Sequence, residues 1–155
     1  MSSGNYNSSR MGTYRIRRAD WERDQARLRA LREEVFVREQ GVPPELEWDG
    51  LDAGCVHVLA ESDAGEAIGT GRLLADGHIG RMVVLRGWRR RGVGAAMLDF
   101  LLAEARRLGM AEVVLNAQTH ALGFYARYGF APEGAPFLEA GIAHQVMRLA
   151  LRPRP

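Results

Sequence analysis

The sequence predicts an α/β (α+β) fold: one mixed sheet of about six to seven strands with helices on both faces. Three observations predict it. Strand-like runs joined by tight turns fill residues 55–85. A helix followed by a strand comes next, and that order calls for a parallel crossover. Two further strand-like runs close the chain.

The elements read as follows. Thr13 to Arg17 is a short opening strand. From Trp21 to Glu39 the apolar residues Leu28, Leu31, Val35 and Phe36 recur at helical spacing. Gly41-Val42-Pro43-Pro44 ends that helix, because Gly and Pro do not continue one comfortably. A polar, acidic loop runs from Glu45 to Gly54. Cys55 to Ser62 and Ala67 to Ala75 are strands, with Asp63-Ala64-Gly65-Glu66 as the hairpin turn between them. Asp76-Gly77 marks another turn, and His78 to Leu85 is the next strand. Gly87 to Gly92 is a loop rich in glycine and arginine. Val93, Met97, Leu98, Leu101, Leu102, Ala105 and Leu108 then repeat at helical spacing up to Gly109. Glu112 to Ala117 is a short buried strand, and a short helix spans about Ala121 to Tyr128. The last strands lie near Ala131 to Leu138 and His144 to Leu151.

The chain has 155 residues, 46% of them hydrophobic, which suits one globular domain. That domain is expected over residues 13–152, with residues 1–12 as a polar, flexible N-terminal tail. The tail lacks the apolar core of a signal peptide, and no apolar run nears the ~20 residues needed to span a bilayer, so a cytoplasmic protein without membrane contact is expected. The net charge is only +2. All 21 basic side chains are arginine. A single cysteine, Cys55, cannot form an intramolecular disulfide, and in its apolar run it reads as a small buried strand residue. His78, His120 and His144 are too scattered to suggest a metal site, so no metal is expected.

Arg89-Arg90-Arg91-Gly92-Val93-Gly94 is the most informative stretch. It follows a strand and opens a helix. Cations are misplaced at a helix N-terminus, where the macrodipole favours acids, and the first acid inside the helix is Asp99. The free amide N–H groups there also need acceptors. A bound polyanion such as a pyrophosphate resolves both problems. Glycine at 92 and 94 lets the backbone approach it closely. The spacing fits neither a Walker loop nor the dinucleotide-binding glycine pattern.

Arg89-x-x-Gly92-x-Gly94, after a Val-rich strand and before an amphipathic helix, resembles the R/Q-x-x-G-x-G/A motif of the GNAT acetyltransferases. Phe124-Tyr125-Ala126-Arg127-Tyr128-Gly129-Phe130 resembles the F-Y-x-x-x-G-F segment of the same family. The likeness extends over about residues 13–151 and implies the GNAT acyl-CoA N-acyltransferase fold, with acetyl-CoA as co-substrate. It implies that the loop from Arg89 to Gly94, Val93 included, cradles the pyrophosphate of coenzyme A. It also implies that the backbone of Met82, Val83 and Val84 pairs with the pantetheine amides, as an added strand would, and that an N–H there polarises the thioester. Tyr125 would protonate the departing thiolate as general acid. Asn116 would contact coenzyme A, or else cap a turn.

Val35-Phe36-Val37-Arg38-Glu39-Gln40, with Glu47, Asp49, Asp52 and His57, is similar to the ElaA/YjcF-like subgroup of that family. So is the stretch from Glu139 to Met147, with Ala143 where the subgroup has Pro. An amine acceptor must lose a proton before attack, and Glu139, His144, Glu47 and Asp49 are the candidate substrate-side residues. The choice of base stays open. The activity implied is acetyl transfer to an amine by direct attack in a ternary complex, since no activated Cys or Ser marks a covalent route. The alternative is a non-catalytic coenzyme A-binding or sensory module. A nucleic-acid partner is not expected, because the basic cluster is confined to one loop without an aromatic stripe. Edge strands near the C-terminus would allow a homodimer.

Overall fold

The computed structural model describes residues 14–151. The expected tail and Thr13 lie outside them. Among the described residues the strands form one seven-stranded sheet in the order β1-β2-β3-β4-β5-β7-β6. They are β1 (Tyr14–Ala19), β2 (Val56–Ser62), β3 (Ala67–Leu73), β4 (His78–Val84), β5 (Glu112–Gln118), β6 (Ala131–Glu139) and β7 (Ile142–Ala150). All neighbours are antiparallel except β4 and β5. This is the expected mixed sheet with helices on both faces.

One face is covered by α3 (Val93–Arg107). Its stripe of Val93, Met97, Leu98, Leu101, Leu102 and Ala105 is buried against Ile16, Val58, Ile68, Ile79 and Val113. Each of its Val, Leu and Met side chains stabilises the fold by about 1.5–3 kcal/mol through burial. The opposite face carries α1 (Trp21–Arg32), which packs Leu28 and Leu31 on Leu59 and Val83. Asp20 caps α1 by accepting from the Glu22 N–H, and Asp24 accepts from the Asp20 N–H in return.

Several elements differ from the sequence expectation. The helix expected over 21–39 changes character at Arg32 and continues as a π-helical segment, Glu33–Glu39. The loop expected over 45–54 is not a solvated acidic stretch. It includes α2 (Pro44–Glu47) and a 3-10 turn (Asp52–Gly54), and it buries Glu47 and Asp52. Cys55 precedes β2 instead of lying in it. It is half-buried, and its thiol donates to the Leu51 carbonyl at 3.2 Å. β5 runs on to Gln118, so Asn116 lies within the strand, opposite Val146, and ends nothing. The short helix α4 is Leu122–Ala126.

Among the described residues no helix is long and apolar enough to cross a membrane. None of them forms a cluster of three or more His, Cys, Asp or Glu that could hold a metal ion.

Candidate active site

The parallel strands β4 and β5 pair only at His78↔Val114 and Ile79↔Leu115. Beyond Ile79 they part. The remainder of β4 and the end of β5 therefore form the two walls of a V-shaped opening, with backbone hydrogen-bonding groups facing into it. β4 also bulges here. Gly80 pairs with Arg72 and Val83 with Thr70, so Arg81 and Met82 stand opposite the single residue Gly71. Val83 is buried, and Met82 and Val84 are partly so.

The arginine-glycine loop ends at α3, beside this opening. Gly92 is the helix N-cap, in the left-handed region at φ 84°, and no side chain caps the helix. The first turn holds no acid, and the Ala96 N–H reaches back to the Gly92 carbonyl at 3.0 Å. The amides ahead of Ala96 thus point out of the helix end. A Cβ at Gly92 would meet only the Tyr14 hydroxyl, at 3.4 Å, and one at Gly94 only Phe124, at 4.0 Å.

The three arginines have different surroundings. Arg89, expected beside a phosphate, is turned toward the chain itself. Its guanidinium forks Glu39 through two bonds of 2.7 Å, and its Nε donates to the Val84 carbonyl at 2.8 Å. That pairing holds the Glu39 carboxyl below its ordinary range, and Arg86 contributes to it. Arg90 and Arg91 are exposed. Arg91 lies over the Trp88 ring at 4.6 Å, and its carbonyl accepts from the Tyr14 hydroxyl at 3.3 Å.

Tyr125 stands on α4, edge-on to Phe124 at 5.0 Å and to Phe130 at 5.7 Å. Burial of its ring pushes the phenol up to about 12. Tyr128 belongs to the scaffold: its hydroxyl donates to the Ala95 carbonyl at 3.1 Å and ties α4 to the first turn of α3.

The four substrate-side candidates fall into two groups. Glu139 and His144 come together across the β6–β7 hairpin, at 3.9 Å. The His144 ring stacks on Phe137, and its Nδ1 lies 2.7 Å from the Ile142 carbonyl. A carbonyl only accepts, so Nδ1 carries the proton and the lone pair of neutral His144 sits on Nε2. Glu47 and Asp49 belong instead to a buried ion network beneath α1. Glu47 receives Arg32 at 2.6 Å and Arg81 at 3.2 Å. Asp52 receives Arg32 and Arg72, each at 2.8 Å, and Asp49 receives Arg72 and Arg81. Burial pushes the Glu47 carboxyl up against the pull of Arg32, whereas arginine contacts hold Asp49 well below the carboxylate range. His57 donates from Nε2 to the Asp52 carbonyl at 2.9 Å, and burial lowers its pKa, which keeps it neutral.

One residue escaped the sequence reading. Gln118, at the end of β5, donates to Gln40 at 3.1 Å, which joins the π-helical segment to the far wall of the opening. Only the spacing of Gln118 on the face shared with Asn116 hinted at it, and its partner lies 78 residues away.

The sequence model described as an acetyltransferase (GNAT) domain matches residues 22–151. The uncharacterized N-acetyltransferase YjcF of Bacillus subtilis is 39% identical over 121 residues, which cover 76% of this chain and 86% of that protein. Among solved structures, an acyl-CoA N-acyltransferase from Pseudomonas aeruginosa superposes with a TM-score of 0.76 at 34% identity, over 88% of this chain and 98% of that one. ElaA of Escherichia coli superposes with a TM-score of 0.77 at 27% identity, over 86% of this chain and 97% of that one.

Proposed function

The chain belongs to the GNAT acetyltransferase family, and from that premise we propose that it transfers the acetyl group of acetyl-CoA to an amine, donor and acceptor meeting between β4 and β5. The observation that carries this reading is the uncapped N-terminus of α3, with Arg90 and Arg91 exposed beside it, at the mouth of the β4–β5 opening. Free amides, a helix dipole and two cations suit a pyrophosphate. Acetyl-CoA supplies the activated acetyl group.

The chain's own residues would act as follows. The amides from Arg90 to Gly94 donate to the pyrophosphate oxygens, and Arg90 and Arg91 balance its charge. Arg89 acts one step back: it fixes the loop to Val84 and Glu39. Backbone groups of Met82, Val83 and Val84 on the unpaired length of β4 take the pantetheine amides. An N–H at the bulge polarises the thioester oxygen. Asn116 lies on the opposite wall.

His144 accepts the amine's proton at Nε2, with Glu139 beside it to stabilise the resulting imidazolium. Tyr125 donates to the sulfur as the C–S bond breaks. A phenol near 12 is a weaker acid than a free thiol at about 8.5, so its main contribution is a hydrogen bond to the developing thiolate. Glu47 and Asp49 have no role in proton transfer, because arginines occupy them.

Calorimetric titration with acetyl-CoA tests the donor half of the reading. Binding by the intact protein that disappears in Gly92→Glu supports it, and no binding even at millimolar acetyl-CoA overturns it. Release of free thiol in the presence of a panel of primary amines tests the transfer. Binding without release for any amine would favour a non-catalytic module.

A further inference from the structure

The bulge in β4 is held by a residue in an unfavourable backbone conformation. Arg81 has φ 51°, in the left-handed region, where a side chain with a Cβ is strained. Such a conformation persists only when its surroundings over-determine it. Here they do so from both sides. Across the sheet, Gly71 leaves room for the bulged chain, because a Cβ there would collide with the Met82 sulfur. On the α1 face, the Arg81 guanidinium donates to the Glu47 carbonyl at 3.3 and 3.1 Å, and it pairs with the Glu47 carboxylate at 3.2 Å and with Asp49 at 3.4 Å.

Glu47 cannot follow Arg81 if the bulge moves. It is buried, and Arg32 grips it at 2.6 Å. Arg32 is itself fixed by Asp52, and Arg72 locks Asp52 to Asp49. Three arginines and three carboxylates balance in charge, and the chain of contacts ends on one backbone feature. That feature begins one residue past Gly80, just where β4 leaves β5.

We propose that Arg81, anchored through Glu47, is a positioning residue that sets the bulge of β4 and so aims its free N–H at the carbonyl of the bound thioester. The inference rests on acetyl-CoA binding in the β4–β5 opening. It gives the acidic segment 45–52 a function: the segment is the far end of a brace that reaches the reacting carbonyl without touching it.

The test is isotope-edited infrared spectroscopy of [1-¹³C]acetyl-CoA bound to the intact protein and to Arg81→Ala, Arg81→Lys and Glu47→Gln. Binding of coenzyme A without the acetyl group serves as the control for folding and for the donor site. A hydrogen bond from the bulge lowers the carbonyl stretching frequency in the intact protein. Most of that downshift should vanish in Arg81→Ala and Glu47→Gln and partly return in Arg81→Lys, with coenzyme A affinity within about threefold of the original in each. With an amine substrate in hand, kcat should fall about ten- to hundredfold while the coenzyme A affinity holds, less than deleting an oxyanion donor outright costs.

If Glu47→Gln does not fold, Arg81→Ala carries the test alone, since the truncated side chain is 24% exposed, Glu47 keeps its Arg32 partner, and alanine retains the Cβ whose strain the brace must hold. An unchanged downshift in Arg81→Ala, or no downshift in the intact protein, overturns the inference while leaving acetyl-CoA binding intact. Absence of acetyl-CoA binding by the intact protein is a different result, and it removes the reading beneath it.

Discussion

Replacing Tyr125 with phenylalanine separates a leaving-group role from a packing role. The ring is wedged between Phe124 and Phe130, and Phe keeps those contacts. Among the described residues no hydrogen bond is recorded for the Tyr125 hydroxyl, so its loss costs the folded state nothing, and the melting temperature should hold or rise slightly. In the reaction the hydroxyl donates to a sulfur that is becoming anionic. A hydrogen bond to a charged group is worth about 1.5–3 kcal/mol. That corresponds to a fall in kcat of about ten- to hundredfold. Affinity for acetyl-CoA, measured by calorimetry, should stay within error.

Tyr128→Phe is the matched control. It loses a bond of 3.1 Å to the Ala95 carbonyl, worth about 1 kcal/mol. The melting temperature should drop by roughly 2–4 °C with a much smaller effect on kcat. Thiol-release kinetics and thermal melts of both variants suffice. Equal kcat for Tyr125→Phe and the intact protein would refute the role, as would a melting temperature that falls more than that of Tyr128→Phe. The phenol stays protonated over any ordinary assay range, since burial pushes it up to about 12, so Tyr125 should impose no alkaline limb on the pH profile below about pH 11.

Gly92→Ala should lower the melting temperature by roughly 2–8 °C, because φ 84° costs alanine about 1–2 kcal/mol while its Cβ meets nothing closer than 3.4 Å; an unchanged melt would show that the loop relaxes freely. His144→Gln should lower kcat/KM about a hundredfold without changing acetyl-CoA affinity, with partial recovery on adding imidazole; full activity would remove His144 as the base. Acidification should destabilise the fold. Asp24, Asp49, Asp52 and Glu61 are held below their ordinary range in the folded state, so the unfolded chain binds their protons first and their contribution is lost as pH falls below about 4. Glu47 is pushed the other way, so its ionisation works against the fold as pH rises, but one such group opposes four. A melting temperature that stays flat between neutral pH and pH 3 would contradict this.

What the sequence disclosed was what local pattern encodes. The stripe from Val93 to Ala105 gave α3, and the turns at Asp63–Glu66 and Asp76–Gly77 gave the meander. The misplaced cations before Val93 marked the helix end that the fold leaves uncapped. What it hid depends on partners far along the chain. Arg89 finds Glu39 at a separation of 50 residues, so a motif that reads as three free cations holds two. The stretch 45–54 reads as a solvated acidic loop because nothing in it shows that Arg32, Arg72 and Arg81 converge on its carboxylates. The separation of β4 from β5 begins beside a bulge, and no periodicity announces one.

The π-helical segment has a consequence for how this surface can change. In Glu33–Glu39 the backbone closes its rings one residue later than an α-helix does, as in the bond from the Gln40 N–H to the Val35 carbonyl at 3.0 Å. The extra residue shifts the angular phase of everything after it. Glu39 then faces Arg89, and Gln40 faces Gln118. Deleting any one residue from Glu33 to Arg38 would restore the ordinary phase and rotate both side chains away from these partners, whichever of those residues was removed. The segment therefore stores a setting in its length and not in its composition, and an insertion or deletion here would alter this surface more than most substitutions.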